Sequence, residues 1–116
     1  MTTPTTHQVI ARLSSLSRML DVATEEYARL DEEWVRAKQA HQVGYARAFL
    51  RADGAMEARK QIAVLAVEGQ WFAMEIAEQK VRAVRERIRT IRDQIEVGRS
   101  LNSAVRAEWT AGAVGQ

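Results

Sequence analysis

Apolar residues recur along the first third of the chain at Val9, Leu13, Leu16, Leu20, Ala23, Tyr27, Leu30 and Trp34. The steps alternate between four and three residues, the heptad spacing of a helix with one continuous apolar seam. A strand would need alternation with period two, and none is present. Met74, Ala77, Val81, Val84, Ile88, Ile91 and Ile95 repeat the pattern in the second half. Between them lies Asp53-Gly54, a turn dipeptide. Folding the chain back there sets Leu13 opposite Ile95, Leu16 opposite Ile91, Leu20 opposite Ile88 and Ala23 opposite Val84. Tyr27 then faces Val81, Leu30 faces Ala77 and Trp34 faces Met74. Each alanine meets a larger residue, which suits interdigitated packing. The expected fold is all-α: a long antiparallel, coiled-coil-like helical hairpin with a short C-terminal helix, assembled into a homo-oligomer.

As one helical domain over 1–116, this reading places a helix at about 5–52, a turn at 53–54 and a helix at about 55–97. Gly98 ends the long helix as a C′ glycine, and Ser100 caps a short helix over about 100–109. The tail 110–116 and residues 1–4 are expected to fray. Pairs at i,i+4, Glu25 with Arg29 and Glu32 with Arg36, add about 0.2–0.5 kcal/mol each, so burial of the seam must carry the helix.

One hairpin buries one stripe per helix. The run "IAVLAVEGQWFAMEIA" (Ile62 to Ala77) is apolar round most of its circumference, with a second stripe at Ile62, Leu65, Gly69, Phe72 and Ile76. A helix apolar on more than one side needs more than one neighbour. Leu101, Val105 and Trp109 form a further stripe in the tail. Oligomerisation of more than two subunits is therefore expected, through Ile62, Leu65, Phe72, Ile76, Ile88, Ile91, Leu101, Val105 and Trp109.

Composition narrows the chemistry. The 116 residues contain no Cys and a single Pro, Pro4. Disulfides, thiolate metal sites and a Cys nucleophile are excluded, which fits the cytoplasm. No apolar run approaches the roughly 18 residues of a membrane span, and "MTTPTTHQ" lacks the marks of a signal peptide. His7 and His41 are not spaced as a helical metal pair, and His41 reads as a seam residue after Trp34 and Ala37. Gly44, Gly54 and Gly69 are isolated, so no phosphate loop is present. Ser14, Ser15 and Ser17 have no base at a recognisable spacing. Glu25, Glu26, Asp31, Glu32 and Glu33 read as a solvated face. No enzyme activity, metal or cofactor is expected.

The net charge of +2 conceals two basic islands. "VGYARAFLRADGAMEARK" (Val43 to Lys60) brings Arg47, Arg51, Arg59 and Lys60 to the turn, interleaved with Tyr45 and Phe49. Cations neutralise phosphates and aromatics stack bases, the chemistry of single-strand binding without sequence preference. The alternative is that the aromatics cap the core while the charges keep the turn soluble. The second island, residues 80–92, holds six basic side chains against Glu86. Arg82, Arg85, Arg89 and Arg92 form one stripe in it. The fold-back sets this stripe near Asp21, Glu25 and Glu26, so a salt-bridged flank is the competing reading.

With these residues in place, the chain resembles the small phage recombination mediators of the UvsY type. The likeness spans residues 35–109. It lies in the order of a long first helix, the "ARA" element (Ala46, Arg47, Ala48), the aromatic and turn (Phe49, Asp53, Gly54), "QWFAMEIA", and the basic "VRAVRERIRTIRDQIEVGRSLNSAVRAE". The family usually has Lys before the "AR" element, where this chain has Tyr45. The resemblance implies binding of single-stranded DNA around Arg47 and a ring-like homo-oligomer formed through the C-terminal helices. It also implies a role in loading a recombinase onto DNA coated by a single-strand-binding protein. The alternative function is a phage structural or assembly coiled coil, scaffold- or chaperone-like, that binds no nucleic acid. A weaker third option is a regulatory hairpin that binds a protein through the Trp109 tail.

Overall fold

The computed structural model describes residues 3–114, with the side chains of residues 113 and 114 left aside. Three helices follow one another: α1 (Thr6–Arg51), α2 (Met56–Ala66) and α3 (Glu68–Val114). α1 opens with a reciprocal cap. The Gln8 backbone N–H donates to Thr5 Oγ1 at 3.1 Å, and the Thr5 N–H donates to Gln8 Oε1 at 2.9 Å. This is a capping box written as "TTHQ", a signal that the seam reading passed over.

Two packing units divide the chain, and α1 and α3 each contribute a stretch to both. One unit takes residues 1–25 and 85–116, the other residues 26–84. In the first, α1 lies antiparallel against α3, and Leu16, Ala23 and Ile91 form a core flanked by Leu20, Ile88 and Ile95. In the second, Leu30, Val81 and Val84 are buried with Tyr27 and Trp34 packed on them. Every residue of the two seams is buried or half-buried. Among the described residues none that is polar or charged is buried. The apolar seams therefore supply most of the burial, joined in the second unit by Ala63 and Val67.

Four local expectations are corrected. Gly98 does not end a helix: α3 runs through it to Val114, so residues 100–109 are no separate element and residues 110–114 are helical. A Cβ at Gly98 would sit 2.6 Å from Leu13 Cδ2. The glycine is there for close approach to α1, which needs no left-handed backbone. Residues 1–2 and 115–116 of the expected frayed ends lie outside the described residues.

The expected helix over 55–97 is broken at Val67, whose φ of −112° and ψ of 19° leave helical geometry. Val67 and Gly69, on either side of Glu68, are weak helix formers. The departure lets Ala63 and Val67 bury while α1 passes close by at Gly44. A Cβ at Gly44 would meet Val67 Cγ1 at 3.1 Å and would collide with Gln70 Oε1.

Arg29 turns to Glu33 at 2.9 Å and not to Glu25, whereas Arg36 does pair with Glu32 at 2.8 Å. Finally, Ile88 and Ile91, expected at a subunit surface, pack into the core of their own unit: Ile91 is 3% exposed and Ile88 half-buried.

The chain reverses over Ala52–Ala55 with Gly54 at φ +107°, where a side chain would be strained. Replacing Leu16, 1% exposed, by Ala is expected to cost about 2–5 kcal/mol. Replacing Leu65, 71% exposed, is expected to cost under about 0.5 kcal/mol while the chain is dilute enough to be monomeric. Chemical denaturation followed by circular dichroism measures both.

Candidate nucleic-acid interface

The end of α1 leaves carbonyls without helical partners. Phe49 O keeps only a share of the Ala52 N–H, at 3.3 Å, and Arg59 of α2 reaches back to it, donating from Nε at 3.3 Å and Nη2 at 3.2 Å. The Arg59 guanidinium also lies over the Phe49 ring, 4.4 Å from its centroid. A cation at a helix C-terminus answers the negative end of its dipole. Tyr45 stacks on Phe49 with ring centroids 6.5 Å apart and planes 14° from parallel. Lys60 pairs with Glu57 at 3.3 Å. Of the six residues expected to bind nucleic acid here, Arg59, Phe49, Tyr45 and Lys60 thus have partners within the protein.

Arg47 and Arg51 differ. Both are exposed, and among the described residues neither makes an ion pair or a side-chain hydrogen bond. They are one turn apart on α1. With about 100° per residue, Arg47 and Arg51 lie about 200° and 240° round the helix from Tyr45, while Phe49 lies only about 40° away. The cations and the aromatics therefore occupy opposite sides of α1. The turn carries a pair of free cations on one side and a stacked, covered aromatic pair on the other, in place of an interleaved groove.

The second island is largely engaged. Arg82 bonds Glu78 and Arg89 bonds Glu86 at 3.0 Å, both neighbours on α3 itself. Arg85 also has a partner. Arg92 alone of this stripe is exposed without an ion pair among the described residues. For Arg82 and Arg89 the relief comes from Glu78 and Glu86, one turn away on α3; Glu26, one of the acids expected to face this stripe, also has a partner.

The residues expected at an oligomer surface also separate. Ile62, Leu65 and Phe72 are exposed at 46%, 71% and 61%. Trp109 is 76% exposed and Leu101 just over a third, while Ile76 and Val105 are half-buried. Sequence reasoning missed Leu50 and Met56, exposed on either side of the turn, and Val64 and Trp71. Val64, Glu68 and Trp71 follow one another at steps of four and three, so their common side was readable from spacing. With His41 and Tyr45 they line a cavity of about 410 Å³. His41 is half-buried there, in the seam position expected of it.

Among the described residues no helix is long and apolar enough to cross a membrane. The chain matches no protein-family model, no curated protein and no solved structure.

Arg59→Met keeps an unbranched side chain over Phe49 but loses the bonds to its carbonyl. It is expected to lower stability by about 1–2 kcal/mol and to leave single-stranded-DNA affinity unchanged. Thermal melts beside a DNA titration separate the two effects.

Proposed function

We propose that this protein is a single-stranded-DNA-binding recombination mediator, without catalytic activity, that acts as a cytoplasmic homo-oligomer in phage recombination and replication. It would help load a recombinase onto DNA coated by a single-strand-binding protein. The observation that carries the reading is the Arg47–Arg51 pair: two guanidinium groups one turn apart, exposed and among the described residues without a counter-ion, beside a turn where Arg59 and Lys60 are engaged within the protein. Such a pair is free to meet phosphates. The missing lysine before the "AR" element leaves Arg47 and Arg51 as the contacts at this end of α1.

Two charges per chain bind weakly at physiological salt. Linked copies raise the overall affinity by roughly 10²–10⁴ when they engage one strand together. The exposed Leu101 and Trp109 on α3 supply apolar groups on which copies can meet. Contact with phosphate on the cation side of α1 needs nothing from Tyr45 and Phe49, which fits binding without base stacking at the turn and without sequence preference.

The second reading, an assembly protein that binds no nucleic acid, is favoured by the local pairing of Arg82 with Glu78 and Arg89 with Glu86, and by Arg59 acting as a cap. The two readings part at Arg47 and Arg51. Fluorescence anisotropy of a labelled single-stranded oligonucleotide is expected to show salt-sensitive binding. In Arg47→Ala/Arg51→Ala the affinity is expected to fall at least tenfold, with the slope of log K against log salt shallower by about 1.4 per bound subunit. Binding that survives the double change would move the site elsewhere, and no binding by the parent protein at low salt would leave the assembly reading.

A further inference from the structure

The cavity beside Trp71 lies away from the Arg47–Arg51 pair and plays no part in the proposed function. His41 and Tyr45 of α1 form one wall, Val64 of α2 and Trp71 of α3 the other, and Glu68 stands at α3's start. Its surface is almost wholly apolar; the polar side chains on it are Glu68 and, from the α1 wall, His41, between which no ion pair or hydrogen bond forms. Among the described residues the Glu68 carboxylate has no ion pair and no hydrogen bond. A carboxylate in the first turn favours the helix dipole, which accounts for its position on α3 but leaves it without a counter-ion.

The aromatic rings of the same unit show what they accept. Lys38 Nζ lies 3.9 Å from the centroid of Trp34, and Arg59 lies 4.4 Å from that of Phe49. Among the described residues no cation lies over Trp71, and it is the ring beside the unpaired carboxylate. An aromatic wall and an anion that both lack a cation, on one cavity, point to the same absent group.

We propose that this cavity captures a basic side chain, arginine or lysine, of a partner polypeptide. The aliphatic stem would lie along Val64 and the aromatic walls, as such stems do on apolar surfaces. The cationic head would sit against Trp71 and Tyr45 with Glu68 as counter-ion. A polypeptide is the source because the apolar surface continues past the cavity. Leu65 and Phe72, next in sequence to Val64 and Trp71, are exposed at 71% and 61%. That is more apolar surface than a small free cation covers, and it suits a basic residue flanked by apolar ones.

The test uses the full chain labelled with 5-fluorotryptophan, whose three tryptophans give separate ¹⁹F signals. The probe is an acetylated, amidated Leu-Arg-Leu peptide; its citrulline counterpart has nearly the same shape without the charge. The arginine peptide is expected to shift the Trp71 signal, leaving Trp34 and Trp109 in place. Citrulline is expected to bind at least tenfold more weakly. Glu68→Gln is expected to weaken the arginine peptide by a similar factor and to erase the difference between the two. Glu68 is exposed, so the fold should persist, and the citrulline comparison on the parent chain decides the matter if it does not.

Equal binding of arginine and citrulline peptides would reduce the cavity to an apolar slot and overturn the proposal. So would benzyltrimethylammonium binding as tightly as the peptide, which would make the ligand a free organic cation. A Trp71 signal that moves with protein concentration alone would mean that a second copy covers the cavity. Absence of any shift at millimolar peptide would also overturn it. The DNA titration is independent of each of these outcomes.

Discussion

Burial of one apolar stripe on each long helix is the interaction on which the rest of the structure depends. Isolated helices gain little from propensity, and ion pairs along an exposed face add a few tenths of a kcal/mol each. Ion pairs such as Arg36 with Glu32 and Arg99 with Glu96 are of that exposed i,i+3 or i,i+4 kind. Leu16, Ala23 and Ile91 in one unit, and Leu30, Val81 and Val84 in the other, carry the burial. Small residues let the backbones close on one another. Gly98 accepts Leu13 in the first unit, and Gly44 accepts Val67 and Gln70 in the second. In these places a methyl group would have to displace its neighbour, so glycine within a helix here serves packing.

That economy shapes the functional surface by subtraction. Where α1 ends, its carbonyls need a donor, and the nearest cation on α2 supplies it. Arg59 thereby has two of its nitrogens engaged within the protein, and its lodging over Phe49 covers one face of that ring. What remains at the turn is set by helix phase. Arg47 and Arg51 project from the side of α1 that the Tyr45–Phe49 stack does not occupy. A polyanion meeting them would meet charge alone, which suits a ligand recognised by its backbone.

The seams were legible because their evidence is internal. Fifteen positions at heptad spacing, centred on Asp53-Gly54, admit few other arrangements, and each is buried or half-buried. Gly98 and Val67 were misread for one shared reason. Whether a glycine ends a helix or admits a neighbour, and whether a valine continues a helix or leaves it, is settled by the residue across the interface. Leu13 and Gly44 are those residues, and each lies more than twenty positions away in the chain. The opposed placement of arginines and aromatics was readable in advance from 3.6 residues per turn, since Arg47 and Tyr45 cannot share a side. The capture of Arg59 by Phe49 was not, because it requires the geometry of the reversal itself.

The break at Val67 resolves what looked in sequence like one featureless apolar run. On a straight helix, Ile62 to Ala77 would present apolar groups all round with no rule for dividing them. With the break, Ala63 and Val67 bury; Leu65 and Phe72 stay in solvent; and Val64, Glu68 and Trp71 turn to a cavity shared with α1. The first group is satisfied within the chain. The second lacks charge and so favours association with another apolar surface. The third holds an unpaired anion among aromatics and so favours a cation. One stretch of sixteen residues thus divides by chemistry into a core contribution and two surfaces with different requirements, and neither of those surfaces competes with Arg47 and Arg51 for its ligand.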